Sequence, residues 1–404
     1  MVHVVIVGGG VAGPAAAIAL ATAGVSVEIL EARAVDDADT GAFLVLAPNG
    51  IRSLEAMGLG RVVPDSAGVP LDGVQFFNAE GGRVGRLDGT QDSALFGARN
   101  HLVMRAALHR RLRAAADAAG VRTTYGARVA LVSESPRGVE IHLSDGRTVR
   151  GDAVIGADGV HSAVRTLTFL GAPSPRYTGI VDCGGVAQVT LPDTGGQRMV
   201  FGDRGFFGFV VHQRTAYWFS NVARPQEPAP GELRGVDTRA WLKQVRGLHC
   251  DDPDPVPSIL AAATCALGVW PVYDVPRLRT WHTGRVCLIG DAAHATSPNA
   301  GQGASLALED AAVLARCLEL TGDIGLAFAT FERLRKTRAE RIVRLGRRLG
   351  ARKVPSPTGA WLRDRMLPLF LKMGMKQTVD QYSYDVARVP VEATAGSIRR
   401  GERA

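Results

Sequence analysis

The chain has 404 residues, 46% of them hydrophobic and 21% charged, a globular composition that excludes a disordered, collagen-like or heptad-dominated protein and a length that fits two interlocked domains or one large fold with an insertion. The net charge of +8 comes from 47 basic against 39 acidic residues, and only five of the basic ones are lysine (243, 336, 353, 372 and 376), an arginine skew that codon bias explains without a nucleic-acid partner. The longest apolar stretches, 261–273 and 366–370, fall short of the roughly 20 residues that span a bilayer, and the N-terminus lacks a basic region, so no membrane partner and no secretory signal are expected and a cytoplasmic location is the default.

In chain order, His3–Val7 reads as a strand, 8–13 as a glycine turn, the Ala-rich stretch to Ala23 as a helix and Val25–Leu30 as a second strand, together a βαβ unit. Gly8, Gly10 and Gly13 form a G-x-G-x-x-G pattern between strand and helix. The first glycine permits the tight turn, the second lets the backbone approach a pyrophosphate, and the third lets the helix pack on the sheet. The helix N-terminus, at Val11 and Ala12, attracts the phosphates. Glu31 closes the second strand 18 residues beyond Gly13, where an acid accepts ribose hydroxyls, and Ala32 and Arg33 follow it at the same half-site. This motif does not distinguish NAD from FAD.

Helices are expected over Ala47–Met57 and Val103–Ala119, each ended by a glycine, Gly58 and Gly120. Val129–Glu134, Val139–Leu143 and Thr148–Arg150 read as a small sheet, and the apolar Ala153–Gly156 as a return to the first sheet. It leads into Gly156-Ala157-Asp158-Gly159, with Ser162 and Arg165 beyond. Over 175–276 the pattern becomes antiparallel sheet, with Phe206–Val211 and Ala216–Asn221 flanking a turn. Phe207, Phe209 and Val211 share one strand face, and Tyr217 and Phe219 share one on the partner, so these rings either line a pocket or form plain core. His212, at the hairpin end, is either a turn residue or a base able to deprotonate a phenol.

Arg285–Ile289 reads as a buried parallel strand. After it come Gly290-Asp291-Ala292-Ala293-His294, Pro298, the triplet Gly301-Gln302-Gly303 and a long helix, Gly301–Leu318, carrying the acidic pair Glu309-Asp310. His294 reads as structural, and the basic stretch Arg333–Lys353 as a surface helix. Five scattered cysteines without a C-x-x-C pair suit neither a disulfide framework nor a zinc site, and no metal is expected. Segments far apart in sequence must therefore share one cofactor site.

Taken together, these motifs resemble the class A flavoprotein aromatic hydroxylases, the family sharing the fold of para-hydroxybenzoate hydroxylase. The likeness runs through the glycine motif, Gly41-Ala42 with Pro48-Asn49, Arg105, the D-G motif, Tyr273-Asp274, G-D-A-A-H and G-Q-G. It implies an α/β fold: an FAD-binding Rossmann-like domain of the glutathione reductase type, from 1–174 and 277–345, with an inserted antiparallel β-sheet substrate domain at 175–276 and C-terminal helices with a tail at 346–404. In the resemblance Asp291 binds the ribityl chain, Arg105 lies near the pyrophosphate, and Val129 belongs to the FAD site. Asp158 serves both FAD and the passing nicotinamide cofactor, or else caps the helix after it. Pro298 sits beside the isoalloxazine ring, and the peptides of Gly301, Gln302, Gly303 and Ala304 face its N1–C2=O edge. Ser305 stands where many members have Asn.

The activity so implied is monooxygenation. NADPH or NADH reduces FAD, O2 adds to give a flavin C4a-hydroperoxide, and one oxygen passes to an aromatic substrate, a phenol or a fused-ring natural product. A single dinucleotide fingerprint means that the nicotinamide cofactor binds transiently. A non-oxygenating FAD reductase or oxidase and a non-catalytic flavin- and ligand-binding protein are the alternatives. A flavin halogenase is disfavoured because no lysine precedes Lys243 and no W-x-W occurs, and a plain NAD dehydrogenase leaves the late motifs unexplained. Oligomeric state stays open.

Overall fold

The computed structural model describes residues 2–34, 42–233, 235–350 and 357–401; Gly41 and the end of the expected basic helix lie outside them. Five parallel strands, in the order Val286–Leu288, Ala153–Gly156, His3–Val7, Ser26–Leu30 and Arg122–Thr124, make the central sheet. Val4, Val5, Ile6, Val154 and Ile155 are buried completely, as strands covered on both faces must be. The helix Ala12–Thr22 is mostly alanine, so it lies close between this sheet and the helix Gly303–Thr321. The expected small sheet forms from Val129–Ser135, Gly138–Leu143 and Thr148–Gly151.

Two expectations need correction. The helix expected from Val103 begins at Arg105, because His101–Met104 is a strand pairing antiparallel with Phe43–Leu46 and Val69–Pro70; its Leu102 and Val103 are buried by those distant partners, which a helical period cannot reveal. The sheet expected from 175–276 alone has seven strands, in the order Gly268–Asp274, Arg176–Gln188, Thr215–Ala223, Phe206–His212, Gln197–Phe201, Gly73–Phe77 and Arg83–Asp88. Its last two strands come from the first part of the chain, and Gln197–Phe201 pairs parallel with Gly73–Phe77, so the sheet is mixed.

Gln213 and Arg214 both take positive φ, 48° and 63°, which joins Phe206–His212 to Thr215–Ala223 through a two-residue turn whose twist matches that of the strands. The helices Thr238–Leu248 and Val256–Ala262 close one face of the sheet, and their Leu242 and Ile259 share one core with its Phe207 and Trp218. The helix Pro357–Tyr382 lies along the edge strand Arg83–Asp88 and covers an edge that would otherwise stay unpaired. Among the described residues no helix is long and apolar enough to cross a membrane.

Candidate cofactor and substrate site

The glycines of the first turn are required for different reasons. Gly8 has φ +112°, and a Cβ there would stand 2.4 Å from the Ala157 oxygen; a Cβ on Gly13 would stand 1.9 Å from the oxygen of Gly8. A Cβ on Gly10 would meet nothing within 4 Å. The protein itself thus needs the first and third glycines, whereas the second leaves open space at the start of a helix that no side chain caps, where a phosphate fits.

Glu31 is buried beneath this turn. Its Oε2 accepts the Gly9 amide at 2.7 Å, and its Oε1 accepts the Arg33 amide at 2.8 Å and Arg33 Nε at 3.3 Å. Glu31 therefore shapes the loop it borders, with lone pairs left over for a ribose. Ala127 and Gly126 donate to the carbonyls of Glu31 (2.8 Å) and Arg33 (3.1 Å), so the turn that leads into the strand Val129–Ser135 runs beside Arg33. From the helix Arg105–Ala118, buried His109 bonds the Gly9 carbonyl through Nε2, a contact with no signal in the sequence. Arg105 opens that helix with an exposed side chain, and its amide donates to the Ala42 oxygen at 3.0 Å.

The second motif meets the third through an arginine. Asp158 accepts Ser162 Oγ and the amides of Ala163 (2.7 Å) and Val164 (3.1 Å), so it satisfies the first amides of the helix Ala163–Thr168, whose N-cap is Ser162, its Oγ accepting the Arg165 amide at 2.9 Å. Burial pushes its carboxyl up, against these hydrogen bonds. Arg165 is 1% exposed and donates to the carbonyls of Ala292 (2.7 Å) and Val160 (2.6 Å); burial pulls its pKa down while the Asp158 carboxylate opposes that. Asp291 begins the short helix Asp291–His294, is exposed, and its carboxylate hydrogen-bonds to no described residue. It stands just beyond the C-terminal end of the edge strand Val286–Leu288 of the parallel sheet, with its acceptors available for sugar hydroxyls. Gly290 lies so close to the first helix that a Cβ would come 3.2 Å from Ala12 Cβ.

Behind these loops lies a buried charge cluster that the sequence reading missed. His294 Nε2 meets Asp310 Oδ2 at 2.6 Å, and Arg335 Nε donates to Asp310 Oδ1 at 2.8 Å; burial raises the Asp310 carboxyl, but His294 and Arg335 outweigh it and hold it at about 2. Glu309 pairs with Arg335 (2.6 Å) and Arg338 (2.7 Å). Burial opposes its ionisation too, and the two guanidiniums keep it below the ordinary value. Arg347 grips buried Asp274 through two bonds of 2.8 Å. The stretch expected as a surface helix therefore turns several arginines inward, because buried carboxylates demand counter-ions. The acidic pair inside an otherwise apolar helix was the available signal.

Ser305 is fully buried, and its hydroxyl accepts the Ala47 amide at 3.1 Å, so it serves the packing of two helices. Pro298 is exposed on the turn Pro298–Ala300, Gly301 has φ +60°, and the helix Gly303–Thr321 starts without a side-chain cap, leaving the first amides, around Ala304, without a side-chain acceptor.

The four aromatic residues expected to bind substrate do not share a face. Phe207 and Phe209 lie opposite Ser220 and Trp218, inside the helix-covered core, with Phe207 stacked on Trp218 at 6.0 Å. Tyr217 and Phe219 project to the other face, toward Phe43 at 6.1 and 6.3 Å. A one-residue offset between paired strands separates the two sets. His212 pairs with Asp193 at 3.2 Å on the hairpin turn, a surface-turn arrangement. Among the described residues, no three metal-ligating side chains gather.

A parallel sheet with an open glycine turn, an exposed acid at a strand end and two helix starts without a side-chain cap defines a dinucleotide-binding protein whose site is assembled from remote segments. The pattern of the FAD binding domain family matches residues 1–345, and the chain belongs to that family. It is 31% identical to the aurachin C monooxygenase/isomerase of Stigmatella aurantiaca, over 90% of this chain and 93% of the relative. It is 34% identical to the 3-amino-4-hydroxybenzoate 2-monooxygenase of Streptomyces cremeus, over 90% of each. Among solved structures, a variant of HpxO from Klebsiella pneumoniae complexed with FAD superposes with a TM-score of 0.81 at 25% identity, covering 94% of this chain and 99% of that one. A salicylate hydroxylase substrate complex shares the fold, with a TM-score of 0.79 at 23% identity and coverage of 98% and 97%. The protein is a flavin-dependent monooxygenase of the class A type with an FAD-binding α/β fold, and the open space at Gly10 and the unspent carboxylate of Asp291 fit FAD.

Proposed function

We propose that the protein hydroxylates a small aromatic substrate, a phenol or fused-ring natural product, using O2 and NADPH or NADH. When bound, FAD supplies the two-electron chemistry that activates oxygen. In this reading the glycine turn and Glu31 hold the adenosine half, with Ala32, Arg33 and Val129 beside it, and Arg105 and Asp158 flank the pyrophosphate. Asp291 binds the ribityl chain. The peptides at 301–304 direct N–H groups and the helix dipole at the flavin's N1–C2=O edge, which stabilises negative charge there without a titrating residue. Pro298, without an N–H, leaves the adjoining face apolar. Tyr217, Phe219 and Phe43 supply the ring-lined face that excludes water from the substrate, and no base is assigned to His212.

The division of the chain belongs to the same proposal: an FAD domain from 1–174 and 277–345, a substrate sheet at 175–276 extended by the strands at 73–88, and a helical tail from 346, in a cytoplasmic protein. By their names the relatives act on aurachin C and on 3-amino-4-hydroxybenzoate, and the amino- and hydroxy-substituted ring of the second supports an electron-rich aromatic substrate.

One observation carries the reading. Gly8 packs on Ala157, Gly290 on Ala12, and Arg165 on Ala292, so all three motifs meet at one end of the central sheet. The test is a panel of phenols and hydroxylated heterocycles, scored for faster NAD(P)H oxidation and, by mass spectrometry, for the gain of one oxygen. If no member is oxygenated while NAD(P)H still reduces the bound flavin, the proposed phenolic substrate class is wrong.

A further inference from the structure

The flavin motifs explain the loops at the start of the helix Gly303–Thr321 but leave unexplained a neutral side chain at the centre of the charge cluster behind it. Asn49, near the start of the helix Pro48–Ala56, is completely buried. Its amide nitrogen donates to Gln302 Oε1 at 2.9 Å and to Glu309 Oε1 at 2.6 Å. Gln302 is the middle residue of G-Q-G, itself buried, so the two peptides it joins follow wherever its side chain is anchored. Glu309 is held in turn by Arg335 and Arg338, which makes the anchor a rigid ion cluster and not a mobile surface group.

The second observation is a cost. Asn49 Oδ1 is buried and accepts a hydrogen bond from no described residue. An amide that commits both N–H groups and leaves its oxygen desolvated and unpaired is poorly chosen for stability, and the arrangement favours orientation.

We infer that Asn49 is a positioning residue: by clamping Gln302 against Glu309 it aims the amides of the G-Q-G turn, and thereby sets how strongly the site favours reduced, negatively charged flavin over oxidised flavin. The inference rests on the FAD reading above. It needs no contact between Asn49 and the cofactor, since a donor fixed in advance at a point where charge develops costs no reorganisation when the charge appears.

The midpoint potential of the bound flavin, measured by equilibrium reduction against a reference dye, tests this on flavin-loaded wild type, Asn49→Ala, Gln302→Leu and Ser53→Ala. Asn49→Ala and Gln302→Leu cut the same bond from its two ends. Each is expected to lose about tenfold of the preference for reduced flavin, a shift of about 30 mV to more negative potential for a two-electron couple. Ser53→Ala removes a hydroxyl that donates to the Asn49 carbonyl at 2.8 Å in the same buried helix without touching Gln302, and is expected to keep the wild-type potential. A wild-type potential in both clamp variants overturns the inference, as does an equal shift in Ser53→Ala, which would assign the effect to helix packing. Should Asn49→Ala fail to load flavin, Gln302→Leu decides alone. Wild-type protein that refuses FAD refutes the cofactor reading instead, so the two failures are distinct.

Discussion

Arg165 Nη1 donates to the main-chain oxygen of Ala292 over 2.7 Å, joining residues 127 positions apart. The D-G and G-D-A-A-H motifs are thereby one structural unit, held by a buried guanidinium that spends its hydrogens on carbonyls. Arg165→Met leaves the Ala292 and Val160 oxygens without their charged donors, each such bond being worth about 1.5–3 kcal/mol. FAD affinity is expected to fall about tenfold or more, read by recovery of flavin fluorescence on dilution. Wild-type affinity in the variant would show that the two motifs hold FAD independently.

Asp291 shows the opposite pattern, since it is exposed and its carboxylate bonds to no described residue. Asp291→Ala is therefore expected to unfold within about 0.5 kcal/mol of wild type in the absence of flavin, as exposed substitutions do, yet to purify without the yellow cofactor. The ratio of flavin to protein absorbance measures this, and a full complement of FAD contradicts the ribityl assignment.

Phe207 and Phe219 separate stability from catalysis. Phe207 is completely buried and stacked on Trp218, so Phe207→Ala is expected to cost about 3–5 kcal/mol in urea unfolding. Phe219 lies on the opposite, partly open face beside Phe43. Phe219→Ala is expected to cost less stability but to raise KM and to divert more NAD(P)H oxidation into hydrogen peroxide. Equal coupling in Phe219→Ala and wild type would remove that face from the substrate site.

Glu332 predicts an acid limb of stability. Burial raises its carboxyl, but His282, Lys336, the Trp281 amide and Thr280 outweigh it and lower the pKa from 4.5 to about 2. A folded-state pKa below the unfolded one means that its contribution is complete above about pH 4.5 and is lost as pH falls toward 2. After discounting for partial solvent access this is on the order of 2 kcal/mol. The fall in urea midpoint between pH 4.5 and 2.5 should be shallower in Glu332→Gln than in wild type; parallel curves would show that other groups govern the limb.

How far the sequence could be read depended on the range of each interaction. The βαβ opening, the glycine turn, the parallel strands and a dinucleotide site follow from residues within a few positions of one another, because φ restrictions, helix starts and two-residue periods are local, whereas FAD in place of NAD was legible only from motifs spread from Gly8 to Gly303. Partners were decided only in three dimensions. Period two put Phe207 with Phe209 and Tyr217 with Phe219, but the pairing offset sent the sets to opposite faces. The strands at 73–88 joined a sheet built mainly from residues more than a hundred positions later, and Ser305, Arg165 and the inward arginines found their bonds in distant segments. A side chain's chemistry is written in its own position, whereas the group that satisfies it is chosen by the packing of the whole chain.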